Sequence, residues 1–430
     1  MNKGLKIGLG LFFALILLTG AFSGGFLVGH FVGLPGGADS SSTVTDTPAP
    51  AQSSASPEEL QALFQPFWEA WDLVHAEYVD QPVDDVALMR GAIKGMLETL
   101  GDPYTSFMDP DEYASFNTSL SGEWEGIGAY VDTSTEYLTV ITPIPGSPAE
   151  AAGLRSGDVV IAIDGNDMTG VDPEVARKQV LGPAGSVVTL TIKRGEDVPF
   201  DVKITRAKIV IKSAEGKMLE NDIAYVQITT FGEKTSAELN DALETLMAQN
   251  PKGLILDLRN NGGGYLQTAV EVVSQFVPGD QVVMYEQYGN GERDTYVSLG
   301  GGLATDIPIV VLINEGTASA SEIVAGALQD LDRAKLVGVV SYGKGSVQLP
   351  VMLSNEQGAV KITIAKWLTP DERLIHEIGL EPDVYVVMTE DDYINELDPQ
   401  LDAAIETLLA MLVGQPVPTS MPTVTPAATP

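Results

Sequence analysis

Residues 313–330 read INEGTASASEIVAGALQD. The apolar run PIVVLIN (308–314) ends in a turn of small residues, and apolar positions then recur at helical spacing. A buried strand that hands over to a helix through a short turn is the repeating unit of a covered α/β sheet. The same alternation continues on both sides. IAYVQI (223–228), GLILDL (253–258), AKLVGV (334–339) and AVKITIAKWL (359–368) read as strands, while EKTSAELNDALETLMAQ (233–249) and YLQTAVEVVSQF (265–276) read as helices. An α/β core over 207–413 follows, with LDPQLDAAIETLLAMLVG (397–414) as a helix packing back on it.

Loops at strand ends carry the candidate chemistry: RNNGGGY (259–265), NEGTAS (314–319) and YGKGSVQ (342–348). Ser319 opens Ser-Ala-Ser-Glu, which is a capping box with Glu322 reaching back. The same position suits a nucleophile, because free N–H groups and the positive end of a helix dipole favour a developing oxyanion. Ser321 is a rival hydroxyl, but two residues along a helix put it on nearly the opposite face.

A serine nucleophile needs a base. Of the three histidines, His30 lies in an apolar N-terminal run and His75 on a helix, which leaves His376. The other option is the amine of Lys344, whose neighbours Tyr342, Gly343, Gly345, Ser346 and Val347 include no acid. Acting as a base near neutrality requires lowering its pKa by about three units, or roughly 4 kcal/mol of desolvation. GVVSYGK (338–344) also matches the start of a phosphate-binding loop, but Gly345 stands where Ser or Thr would hold magnesium.

Upstream, residues 58–121 read as a helical region in which Trp68, Trp71 and Tyr78 are expected in a core and His75 is packed or solvated. From 122 to 206 the texture is short alternating strands with Gly-Asp and Asp-Gly turns, a small mostly-β unit. Before all this, Ile7 to Leu34 is nearly uninterrupted apolar sequence behind Lys3 and Lys6. That run exceeds a signal-peptide core and suffices to span a bilayer, so residues 1–34 are expected to be an uncleaved anchor with the rest extracytoplasmic. A cleaved signal sequence with secretion is the alternative. Residues 35–57 and 414–430 are Pro/Ser/Thr/Ala-rich and read as a disordered linker and tail.

Composition narrows the chemistry. With 59 acidic against 24 basic residues the net charge is -35, which opposes nucleic-acid binding, and no basic stripe offsets it. The absence of cysteine removes thiol nucleophiles and thiolate metal sites. No metal or cofactor is expected.

Taken together, LILDLRNNGGG, NEGTASASEIVAGALQDLDRAKLVG and SYGKGSVQLP, with LGDPYTSFMDPDEYASF (100–116) and IGLEPDVYV (378–386), resemble the carboxyl-terminal processing (tail-specific) serine proteases of the S41 type. The resemblance covers residues 60 to 411 and includes the spacing of 25 between Ser319 and Lys344. The unit at 122–206 is similar to a PDZ domain, with SPAEAAGLRSGDVVIAIDG as its signature. Departures are mild: GVVSYGKG replaces a commoner acid-containing start, and IHEIG varies a usual GKGI stretch.

The resemblance implies a Clp-protease/crotonase-like core with an inserted PDZ domain. It implies Ser319 as nucleophile, Lys344 as general base and Gln348 as its positioning residue. The oxyanion hole would be the backbone N–H of Ala320 with Gly263 or Gly264. Gly126, Ile127, Gly128 and Ala129 would hold the free, apolar C-terminus of a protein or peptide substrate. Self-association through the N-terminal helices is a further expectation. A catalytically silent PDZ-type tail-binding adaptor on a hydrolase-like scaffold remains the alternative, and a Ser-His hydrolase using His376 another.

Overall fold

The computed structural model describes residues 57–417. The expected anchor (1–34), almost all of the expected linker and the tail from 418 lie outside the described residues. Among the described residues no helix is long and apolar enough to cross a membrane.

Two compact units divide the chain, residues 1–83 and 84–430. In the first, helix α1 (Pro57–Glu77) spaces its aromatic residues three and four apart, so they stack along one stripe. The Phe67 and Trp68 rings meet edge to face at 5.1 Å, and Trp71 stacks on His75 at 5.0 Å. His75 Nδ1 is also 2.8 Å from the Trp71 carbonyl oxygen, so this histidine is packed. The expectation of a core for the aromatics fails at Trp68, 57% exposed, and Tyr78, 53% exposed. An aromatic stripe is buried only when a second element covers it, and no other described helix or strand belongs to this unit.

The second unit starts with α2 (Asp85–Glu98), where Asp84 accepts from the amides of Val86 and Ala87. A short strand β1 (Ser106–Met108) follows, unforeseen in a region read as helical, and then α3 (Pro110–Ser121) behind an Asp109/Glu112 capping box. The mostly-β part comprises β2 (Glu123–Gly126), β3 (Ala129–Asp132), β4 (Thr139–Pro143), the single turn α4 (Pro148–Ala151), β5 (Val159–Ile163) and β6 (Asn166–Asp167). It continues through α5 (Pro173–Val180), β7 (Val187–Lys193), β8 (Phe200–Thr205) and β9 (Ala207–Val210). Its sheet runs β3-β4-β5-β7-β8, and β2 pairs with β9 as a two-stranded ribbon. Val188, Leu190 and Ile192 of β7 are wholly buried, the inward face of a period-two strand.

The core then adds β10 (Ala214–Leu219), β11 (Ile223–Ile228), α6 (Thr235–Met247), β12 (Gly253–Asp257), α7 (Leu266–Ser274), β13 (Val282–Tyr288) and β14 (Arg293–Val297). After these come β15 (Ile309–Ile313), α8 (Ala320–Asp330), β16 (Ala334–Gly338), β17 (Ser346–Met352), β18 (Ala359–Leu368), β19 (Val384–Tyr385), α9 (Glu390–Ile394) and α10 (Pro399–Leu412). One sheet has the order β10-β11-β12-β15-β16-β19 and is parallel from β11 onward. Its central strands are buried on both faces because helices cover both. Leu254, Leu256 and Val311 pack with residues of α6, α7 and α8, while Ile255, Val310 and Leu312 pack with Ala404 and Leu408 of α10. A second, antiparallel sheet runs β1-β18-β13-β14, with β17 also on β18. The expected α/β core, mostly-β unit and N-terminal helices are all present.

Candidate active site

Strands β12, β15 and β16 are parallel neighbours, so the loops leaving their carboxyl ends open on one edge of the sheet. Those loops are stitched together. Asn314 Oδ1 accepts from Asn260 N at 2.8 Å, Thr317 Oγ1 donates to the Leu258 carbonyl at 2.9 Å, and Tyr342 N donates to the Thr317 carbonyl at 3.0 Å. They enclose a cavity of about 370 Å³ lined by Gly262, Gly263, Gly264, Ser319, Ala320, Lys344 and Gln348. Phe116 and Leu120 of α3, with Val347 and Trp367, supply apolar wall.

Ser319 has φ +57° and ψ −118°, a conformation that side chains other than glycine rarely adopt. A strained turn between a strand and a helix is how a nucleophilic hydroxyl is raised into a cavity. Glu322 reaches back to accept the Ser319 amide at 2.8 Å, as the capping pattern requires. Ser321 is removed as a rival: it is wholly buried and its hydroxyl donates to the Asn261 carbonyl at 2.9 Å.

Glu322 proves to be more than a cap. Its carboxylate is fully buried and accepts four hydrogen bonds, from Ser319 N, Lys344 N (2.9 Å), Gly343 N (2.7 Å) and Ser341 Oγ (2.6 Å). Burial pushes its carboxyl up and the four donors pull it back. Three of its four partners are backbone amides, which can only donate, and this arrangement favours the carboxylate form. Sequence reading saw only the capping pattern; the role as a tie between loops has no local signal.

Lys344 is half-buried on the loop between β16 and β17. Burial holds its amine below the ordinary lysine range, the Lys361 charge adds to that, and Glu322 opposes. Its Nζ lies 5.6 Å from the centre of the Tyr104 ring, and no hydrogen bond joins it to Ser319 in this resting arrangement. Trp367 Nε1 donates to the Lys344 carbonyl at 3.0 Å and fixes the loop. The Gln348 amide donates to Ser346 Oγ at 2.8 Å rather than meeting Lys344. Burial pushes the Tyr104 hydroxyl up to about 12.

Two competing sequence readings lose their geometry. The segment 338–344 leads into strand β17, so the helix N-terminus that a phosphate cradle requires is missing. His376 packs its backbone against Gly345 and its ring 5.9 Å from that of Tyr104, and it neither lines the cavity nor hydrogen-bonds a carboxylate through Nδ1.

The glycine loop is held from both sides. Arg259 bonds Asp257 at 2.7 Å and Asp398, at the start of α10, at 2.8 Å. A Cβ on Gly263 would fall 2.8 Å from the Ala318 oxygen and 2.9 Å from Ala320 N, and its φ is +100°. Only glycine allows this approach to the Ser319 turn. The Gly263 N–H donates to Asn261 Oδ1 at 2.9 Å, whereas the N–H groups of Gly264 and Ala320 have no acceptor among the described residues.

A second cavity, about 550 Å³, lies along the open edge of β3, lined by Ile127, Gly128, Ala129, Leu138 and Val180. Gly128 has φ +78°, and its carbonyl accepts from Ser147 Oγ at 2.7 Å and Ile144 N at 3.0 Å. This turn leaves the amides of Ile127 and Gly128 without an acceptor among the described residues.

Residues 222–386 match peptidase family S41, residues 139–194 a PDZ domain, and residues 18–112 the N-terminal domain of the activating protease CtpB. The carboxy-terminal processing protease CtpA of Bacillus subtilis is 37% identical over 316 residues, covering 74% of this chain and 67% of that protein. A carboxy-terminal-processing protease of Bartonella bacilliformis is 40% identical over 325 residues, 74% of each chain. The crystal structure of a putative S41 protease from Bacteroides fragilis aligns with a TM-score of 0.52 at 17% identity, over 80% of this chain and 96% of that one, which shows the shared fold. A serine peptidase core carrying a PDZ domain, at this level of identity over this much of the relatives, places the chain in the carboxy-terminal processing protease family of S41 peptidases.

Proposed function

We propose that the chain is a tail-specific endopeptidase in which Ser319 is the nucleophile and Lys344 the general base. The observation that carries this reading is the strained Ser319 turn sharing one cavity with a lysine whose amine is held below its ordinary range. Lys344, swung off the Tyr104 ring, accepts the Ser319 proton as the hydroxyl attacks a peptide carbonyl. The amine then protonates the leaving nitrogen, and a water deprotonated by the same amine hydrolyses the acyl-enzyme. Gln348 orients the amine once it releases Ser346. The Ala320 and Gly264 amides stabilise the oxyanion, since the Gly263 N–H is already engaged by Asn261.

Capture of the tail follows from the second cavity. The Ile127 and Gly128 amides receive the substrate's terminal carboxylate, with Gly126 supplying the turn, and its last residues add a strand along Ala129 and the rest of β3. The substrates are extracytoplasmic proteins with free apolar C-termini, reached by a chain tethered through residues 7–34 and able to self-associate through its N-terminal helices.

The test is cleavage of a protein with an exposed apolar tail by the full chain, beside Ser319→Ala and an amidated substrate. Cleavage that vanishes in Ser319→Ala, with weaker capture of the amidated tail, supports the reading. Tail binding without cleavage by the unmodified chain would leave a silent adaptor instead, a reading favoured by the lack of a hydrogen bond between Ser319 and Lys344, whose amine rests over the Tyr104 ring.

A further inference from the structure

The cavity that holds Ser319 and Lys344 contains a second cation. Lys361 lines it on the β18 side, half-buried, and no ion pair or hydrogen bond joins its amine to a described residue. Five of the thirteen described lysines, Lys178, Lys208, Lys234, Lys252 and Lys335, reach a carboxylate; Lys361 does not, and it faces the cavity that holds Lys344. Lys361 is also held firmly. It pairs with Ser106 of β1 on one side and Pro350 of β17 on the other. Period-two alternation places it on the face of the wholly buried Ala359 and of Thr363, toward the cavity lined by Pro350 and Gln348.

Two ammonium groups in one poorly solvated space repel, and the more buried one yields its proton first. We propose that Lys361 is a positioning residue for catalysis, an unpaired cation whose charge keeps the neighbouring Lys344 amine free to accept the Ser319 proton. This inference rests on the reading of Lys344 as the base.

Every group facing Lys344 bears on it. Burial and Lys361 disfavour its charged form, while Glu322 of α8 favours it. The Tyr104 ring, from the loop before β1, also favours a cation. Tyr342, on the loop that carries Lys344, stands near the Tyr104 hydroxyl. Asp102 accepts from Thr105 in that loop, and His376 and Glu377 stand behind it. Removing Lys361 leaves the favouring groups in place, so the Lys344 pKa must rise.

The experiment is the pH dependence of kcat/KM for the full chain on an apolar-tailed peptide, from about pH 5 to about pH 10. Wild type, Lys361→Gln, Lys361→Met, Lys361→Arg and Lys344→Ala are compared, with thermal melting of each. Lys361→Gln is expected to move the acid limb upward by on the order of one pH unit, with kcat recovering at alkaline pH. Lys361→Arg restores the wild-type limb. Lys361→Met, which removes the charge with an apolar side chain of similar reach, moves the limb the same way and covers a glutamine variant that folds poorly.

An acid limb unmoved by both Lys361→Gln and Lys361→Met overturns the inference. So does a raised KM at every pH with the limb in place, which would make Lys361 a substrate anchor. If Lys344→Ala keeps its turnover, the base assignment itself fails; if that variant is dead and the Lys361→Gln limb has not moved, only the present inference does.

Discussion

The backbone amides of Ser319 and Lys344 donate to the same atom, Oε2 of Glu322, at 2.8 and 2.9 Å. One buried carboxylate thus sets the separation of two loops that are far apart in sequence. Glu322→Gln keeps the size but offers a single acceptor oxygen and adds two donors, so some of the four partners must go unpaired. The expected cost is at least about 2 kcal/mol of stability, with turnover falling further than stability alone explains. Calorimetry and peptide cleavage on one preparation check this; near wild-type values for both would show that the loops are held by other bonds.

The Ser319 turn stores strain. At φ +57°, glycine is comfortable and alanine is not. Ser319→Ala and Ser319→Gly are both expected to be inactive, with the glycine variant more stable than the alanine one by about 1 kcal/mol or more. Denaturant titration of the two variants measures the difference, and equal midpoints would mean the turn relaxes without cost.

Lys344 should weaken the fold that it serves. Its folded-state pKa lies below the ordinary value, so the chain binds fewer protons folded than unfolded between those two values. Below the folded pKa the full penalty of burying the cation is present, and it fades as pH rises toward about 10.4. Lys344→Met is therefore expected to be inactive but more stable near neutrality by about 1 kcal/mol, with the gap closing as pH rises. Melting curves across alkaline pH test the sign.

Gly263 has no room for a methyl group, because the atoms it would meet are backbone atoms of Ala318 and Ala320. Gly263→Ala is expected to displace the Ser319 turn and reduce kcat by at least about a hundredfold while tail binding at the PDZ domain persists. Equal losses in binding and turnover would indicate general misfolding.

Much of this was readable from the chain, for identifiable reasons. Strands such as β11, β15 and β18 announce themselves by composition, and Ser319 and Lys344 stand at strand ends where α/β sheets bind ligands. What escaped was whatever depends on distant segments meeting. Ser346 to Gln348 read as loop because the pairing that makes β17 a strand comes from β18. The one-sided pattern of α1 read as core because periodicity shows a stripe, not what covers it. Glu322 satisfied a local capping rule, which hid its bonds to residues 341–344. Lys361 reaches the cavity, and Tyr104 the Lys344 amine, through the β1–β18 pairing, and neither carries a signal of its own.

The most direct test of the account is the turnover of Lys344→Ala beside His376→Ala on one apolar-tailed peptide, with tail binding measured for both. The account predicts a loss of at least about a thousandfold for the lysine variant, most of the wild-type rate for the histidine variant, and binding kept in each. A lysine variant that still turns over, or a histidine variant that does not, would contradict it.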